Sequence, residues 1–362
     1  MLVSVVSKRM RPHPNISSKL AQRPLSRSFG ARARFDEAMG TLSVLSTSTS
    51  TSTSTTKLAA TITSRYNIQT APNGGYLTSL AGQAALGSGL TQHSELQAIS
   101  GHFHSMFDLK RSEHATFSVE RLGGSRATTS LLVRMGQVTS DPSAQRQQEE
   151  GGEEEEEEPT PLATFLITVG DTSREKGRGP TRVVGAAPEL PAPEDCVEVP
   201  LKMNEYALMM DPDGPGLPIA NEIDYRIAKD SPWATGVLQG KSGGEAWSEG
   251  WLRFPGESPV PTIASLPFFL DCCPPPVLNF APAGWVPTVS YDIHVRADPA
   301  TVESYKGGDA EGWMRCRLAT RFLVDGRLEA DYELWSGCDE DPVLLGQSRQ
   351  LALVRGVPQG RG

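Results

Sequence analysis

Two short stretches of the chain carry residue types that could act on a carbonyl group. Asn73-Gly74-Gly75 opens an apolar run, Tyr76 to Leu86, whose spacing predicts a helix. Glycines at a helix start can offer backbone N–H groups to a developing oxyanion, and the helix dipole favours negative charge there. Asn73 can cap the same helix through its side-chain oxygen. The plainer alternative is a cap and turn with no chemistry. Asp271 is the only charged residue in PTIASLPFFLDCC (261–273). It either ends a helix in solvent or is a buried acid with a task.

Other constellations are incomplete. His102 and His104 alternate onto one strand face in GHFHSMF, with His93 and His114 nearby. No cysteine or carboxylate spacing completes a metal site, so surface or interdomain histidines are expected. Cys272-Cys273 reads as a helix-end pair of buried thiols. The sequence contains no G-x-S-x-G nucleophile elbow, no P-loop and no dinucleotide-binding glycine fingerprint. Trp247, Trp251, Trp285, Trp313 and Trp335 gather in the second half without the basic stripe of a base-stacking platform.

The elements that must position these residues fall into two similar halves. A chain of 362 residues suggests two domains of ordinary size. In the first half, the helix after Gly75 precedes strand-like runs at 96–107, 115–122, 127–137 and 161–169. In the second, a strand at 245–254 and an apolar helix at 261–273 precede strands at 286–295, 313–323, 328–335 and 344–354, with Gly326 in a turn. The repeated order suggests an internal duplication. Residues 171–235 are rich in proline and read as a linker.

Charge and composition set limits. The formal net charge is −9, but eight glutamates crowd into residues 149–158. Without them the remainder is nearly neutral, which argues against a nucleic-acid binder. Five cysteines do not make a disulfide framework, and no apolar run is long enough for a membrane span. A reduced, intracellular globular protein is the expectation. Residues 1–34 hold eight basic residues and no acid, which fits a mitochondrial presequence or a disordered tail. Localisation is therefore expected to be cytoplasmic or mitochondrial. The runs 46–56 (STSTSTSTSTT) and 141–159 (acidic) are expected to be disordered inserts.

Several of these residues also carry a family resemblance. They are Pro72-Asn73-Gly74-Gly75-Tyr76, Leu270-Asp271, Val286-Pro287-Thr288, Gly326 ahead of Glu329 to Trp335, and Gln347 to Leu353. On these the chain resembles the thioesterase-like, double-hotdog acyl-CoA thioesterases of the thioesterase II type. The resemblance spans roughly residues 35–170 and 236–356. It implies an α+β double hotdog: two fused hotdog domains over those ranges, each a long central helix wrapped by an antiparallel β-sheet. The two sheets would pair edge to edge in an intramolecular pseudo-dimer, with any further homo-oligomer left open.

The resemblance also implies an activity and a site. Water would attack an acyl-CoA, or a related thioester, to give a free acid and a thiol. Asp271, Thr288 and Gln350 would anchor the water, with Ser290 and Asp292 as the fallback for a shifted register. Asn73, Gly74, Gly75 and Tyr76 would bind the substrate carbonyl. No metal or redox cofactor is implied, since CoA is part of the substrate. Two other readings stay open: a non-catalytic acyl-thioester-binding protein, and a hotdog hydratase or dehydratase. The latter would want a catalytic histidine, which neither helix supplies.

Overall fold

Among the described residues, thirteen strands form one antiparallel sheet. The computed structural model describes residues 31–49, 54–138, 161–172, 185–199, 216–235, 246–256, 260–279, 286–303, 312–337 and 341–355. The first half contributes β1 (Ser43–Thr49), β2 (Ser54–Thr61), β3 (Glu95–Phe103), β4 (His114–Gly124), β5 (Thr128–Val138) and β6 (Ala163–Gly170). The second contributes β7 (Cys196–Glu198), β8 (Asp224–Ala228), β9 (Trp247–Arg253), β10 (Thr288–Val295), β11 (Met314–Val324), β12 (Arg327–Trp335) and β13 (Leu344–Leu353). Three helices matter for the site: α1 (Ala31–Met39), α2 (Gly74–Gly87) and α3 (Leu266–Phe269).

The order across the sheet is β1-β2-β4-β5-β6-β3-β10-β13-β12-β11-β9-β8-β7. Reading outward from the centre gives the same pattern twice: β3, β6, β5, β4, β2 on one side and β10, β13, β12, β11, β9 on the other. The halves therefore repeat one topology, and β3 pairs with β10 to make the sheet continuous. Ile99 and Ile293 face each other at this junction, and both are buried. Strand alternation sends Phe117, Val119, Leu131, Val133, Phe165 and Ile167 to the inner face, where they are inaccessible. Leu80, Ala81, Ala84 and Ala85 of α2 complete this core. Asp325 and Gly326, with φ of 51° and 74°, turn β11 into β12, as a two-residue hairpin requires.

Four sequence expectations change. The Ser/Thr run at 46–56 is not an insert across its described residues, which belong to the β1–β2 hairpin. Threonine is β-branched and favours strands. Thr56 is fully buried, and its hydroxyl donates to the Ser88 carbonyl at 2.9 Å. The acidic run at 141–159 lies outside the described residues.

The stretch 171–235 is more than a linker, because β7 and β8 extend the sheet within it. Residues 186–193 lie on the outer face of the second half as a strap. Arg317, Arg315, Trp251 and Arg226 donate in turn to the carbonyls of Ala186, Pro188, Pro191 and Pro193, at 3.2, 3.3, 2.7 and 3.3 Å. Proline offers no N–H, but its carbonyl still accepts.

The second helix is short. A 3₁₀ turn at Ile263–Ser265 leads into the four residues of α3. Pro267 is tolerated in that first turn, and Pro274-Pro275-Pro276 prevents continuation. Among the described residues, the long central helix is thus a feature of the first half alone. Finally, residues 31–34 do not belong to the basic tail, since they open α1. Ala31 is buried, and Arg34 binds the buried Glu222 at 2.9 Å.

Candidate active site

The start of α2 is set by Asn73, whose extended backbone (φ −60°, ψ 138°) precedes the first turn. Its Oδ1 accepts the Tyr76 N–H at 2.9 Å, which is the expected cap. The amide's other end turns outward from the helix. Asn73 Nδ2 donates to Asp271 Oδ2 at 3.0 Å and to the Asp271 carbonyl at 3.3 Å.

Asp271 lies just past the end of α3 and is 9% exposed, so it is a buried acid and not a solvated helix end. Its Oδ2 also accepts the Gly75 N–H at 2.6 Å, and its Oδ1 accepts Gln350 Nε2 at 2.6 Å. The helices approach this closely because residue 75 has no side chain. A Cβ there would sit 2.6 Å from the Pro267 carbonyl oxygen and 2.7 Å from Asp271 Cβ.

Gln350 faces inward. On β13, Ser348, Gln350 and Ala352 are buried, while Arg349 bonds Asp331 outside and Leu351 is 40% exposed. The carboxylate therefore meets three neutral donors and no cation. Burial pushes its pKa up from 3.8 to about 6, against the opposing hydrogen bonds from Gly75, Gln350 and Asn73. Because every partner donates, the arrangement suits the ionised form. A carboxylate offers roughly four lone-pair sites, and three are taken, which leaves one on Oδ1 beside Gln350.

Two expected roles shift. The Gly75 N–H is engaged by Asp271, so it does not stand ready for a substrate oxyanion. Gly74, half-buried one position earlier, is the better placed of the two glycines. Tyr76 is fully buried and stacks on Tyr66 at 4.6 Å, which makes its side chain part of the core.

Thr288 is half-buried at the start of β10 and does not join the hydrogen bonds around Asp271. A bulge between Thr288 and Ser290 breaks the simple alternation that would put Thr288, Ser290 and Asp292 on one face. Thr288 stands opposite the buried Ala352, and so shares the inner face with Gln350. Ser290 and Asp292 stand opposite the outward Leu351 and Arg349, which removes them as fallbacks.

Two residues not singled out from sequence reach the same region. Ser348 Oγ donates to the Leu270 carbonyl, and the Tyr291 hydroxyl donates to the Pro267 carbonyl, each at 3.0 Å. The strand phase of Tyr291 was readable in the sequence; the reach of either residue to α3 was not. The histidines stay apart: His102 is exposed opposite Ser290, and His104 bonds Thr164 at 2.9 Å. Among the described residues, no group of three or more His, Cys, Asp or Glu could hold a metal ion. Cys272 and Cys273 are buried free thiols.

Residues 193–354 match the acyl-CoA thioesterase C-terminal domain family. Among solved structures, a protein titled as a thioesterase II from Thermobifida fusca aligns with a TM-score of 0.62 at 22% identity, covering 89% of this chain and 97% of its own. A hot dog-fold protein of unknown function from Alicyclobacillus acidocaldarius gives 0.62 at 16% identity, with 90% and 98% covered. An acyl-CoA thioesterase II from Mycobacterium marinum gives 0.53 at 12% identity, with 90% and 99% covered. At these identities the likeness is one of fold. No curated protein matches the chain. The chain thus has an α+β double-hotdog fold, and its residues 193–354 match the acyl-CoA thioesterase C-terminal domain family.

Proposed function

We propose that the protein hydrolyses an acyl-CoA, or a related thioester, with Asp271 as general base. The observation that carries this reading is a buried carboxylate held at a helix start by neutral donors alone. A water on the remaining Oδ1 lone pair would give its proton to Asp271 while its oxygen adds to the thioester carbonyl. The Gln350 amide lies beside that oxygen and can orient the water, with Thr288 on the same sheet face as a further anchor. The Gly74 N–H, at the positive end of α2, would receive the developing oxyanion. Collapse of the tetrahedral intermediate breaks the C–S bond, and the proton held by Asp271 passes to the thiolate. This chemistry asks for no metal or redox cofactor, and it would serve acyl-group metabolism inside the cell.

The test is thiol release from short, medium and long acyl-CoAs by the wild type, Asp271→Asn and Gln350→Ala. Each variant should lose about 100-fold or more in kcat/KM while staying folded; each tenfold is about 1.4 kcal/mol of transition-state stabilisation. Saturable acyl-CoA binding without hydrolysis at any chain length would overturn the reading and leave a binding protein.

A further inference from the structure

A helix leaves its last four carbonyls without partners within the helix. Here side chains hold the carbonyl of Pro267 in α3 and those of Leu270 and Asp271 just past its end. The Tyr291 hydroxyl reaches the Pro267 oxygen, Ser348 Oγ reaches the Leu270 oxygen, and Asn73 Nδ2 reaches the Asp271 oxygen. Tyr291 and Ser348 are 1% and 4% exposed, so these bonds form away from solvent. Ser348 and Gln350 project from the same face of β13, about 7 Å apart by strand geometry. They reach consecutive residues, Leu270 and Asp271. Gly346, one step back on that face, leaves room for Leu270, whose Cδ1 would lie 3.3 Å from a Cβ there. Tyr291 stands opposite Gln350 on β10.

We propose that Ser348 and Tyr291 are positioning residues for Asp271. They pin α3 to the sheet so that the carboxylate meets Gly75 and Gln350 at 2.6 Å. Neither donates to the carboxylate; both act through the backbone that carries it. The kinetic consequence rests on the reading of Asp271 as general base, whereas the structural one does not.

The experiment follows the Asp271 carboxyl directly in the full chain. Aspartate labelled with 13C at Cγ is titrated by NMR, with Asp271→Asn to assign the signal. The wild type should titrate near 6. Ser348→Ala and Tyr291→Phe should each move the midpoint by about half a unit or more. They should also lower kcat about tenfold with KM held within about twofold. Ser348→Thr, which keeps the hydroxyl, should return both values toward wild type. The inference is overturned if the folded Ser348→Ala and Tyr291→Phe proteins titrate at the wild-type midpoint, whatever their melting temperatures. Should one variant fail to fold, the other carries the test. If the wild type releases no thiol, the hydrolase reading falls, and the titration still decides the positioning role.

Discussion

Asp271 is under two opposed demands. Burial favours its neutral form, whereas a general base must be ionised. Its folded pKa, raised from 3.8 to about 6, fixes the sign of both effects. Between those values the folded protein holds a proton that the unfolded chain has released. The contribution to stability is therefore fully present below about 3.8 and is lost as pH rises through about 6. The loss is about 3 kcal/mol for a shift of this size. Activity should run the other way, falling as pH drops below about 6. The difference in melting temperature between wild type and Asp271→Asn, measured from pH 4 to 8, should change across the same window that limits thiol release. Coinciding windows would tie both to one carboxyl; a pH-independent difference in melting temperature would detach Asp271 from the stability effect.

Helix α1 shows how an element far from the chemistry supports it. Its Phe35 is fully buried against Tyr66, Phe254 and Phe268, at ring distances of 5.6, 5.4 and 5.3 Å. Phe268 belongs to α3, three residues before Asp271. Phe35→Ala should cost about 3–5 kcal/mol in urea denaturation. Removal through residue 40 should cost at least as much as Phe35→Ala.

The legibility of the elements follows the range of the forces that make them. α2 and the Asp325-Gly326 turn are local, and their residues announced them. The β1–β2 hairpin was hidden because a repetitive Ser/Thr composition suggests solvation, while β4 supplies the pairing that makes it a strand. Asp271 was legible as a lone charge in an apolar run, and Gln350 only through the family resemblance. That Gly75 would spend its N–H on Asp271 was not legible, because the partners are 196 positions apart and meet only through the fold. The Thr288 bulge was likewise invisible to a rule of strict alternation.

The whole molecule explains why the site cannot belong to either half. Asn73 and Gly75 come from the first, Asp271 and Gln350 from the second, and the β3–β10 pairing holds them in one frame. A continuous sheet with one connected core should then unfold as one unit. The sequence supplies a reporter, since all six tryptophans lie between positions 233 and 335, in the second half. Phe117 lies in β4 of the first half and is fully buried. Phe117→Ala should lose about 3–5 kcal/mol. If the halves are one cooperative unit, its tryptophan-fluorescence midpoint in urea must fall as far as its far-ultraviolet circular dichroism midpoint, although no tryptophan is near the substitution in sequence. A fluorescence midpoint that stays at the wild-type value, while circular dichroism shows an earlier transition, would mean that the halves unfold separately. The site would then be an assembly of two independently stable parts, and Asp271 would lose its Gly75 and Asn73 partners before its own half unfolds.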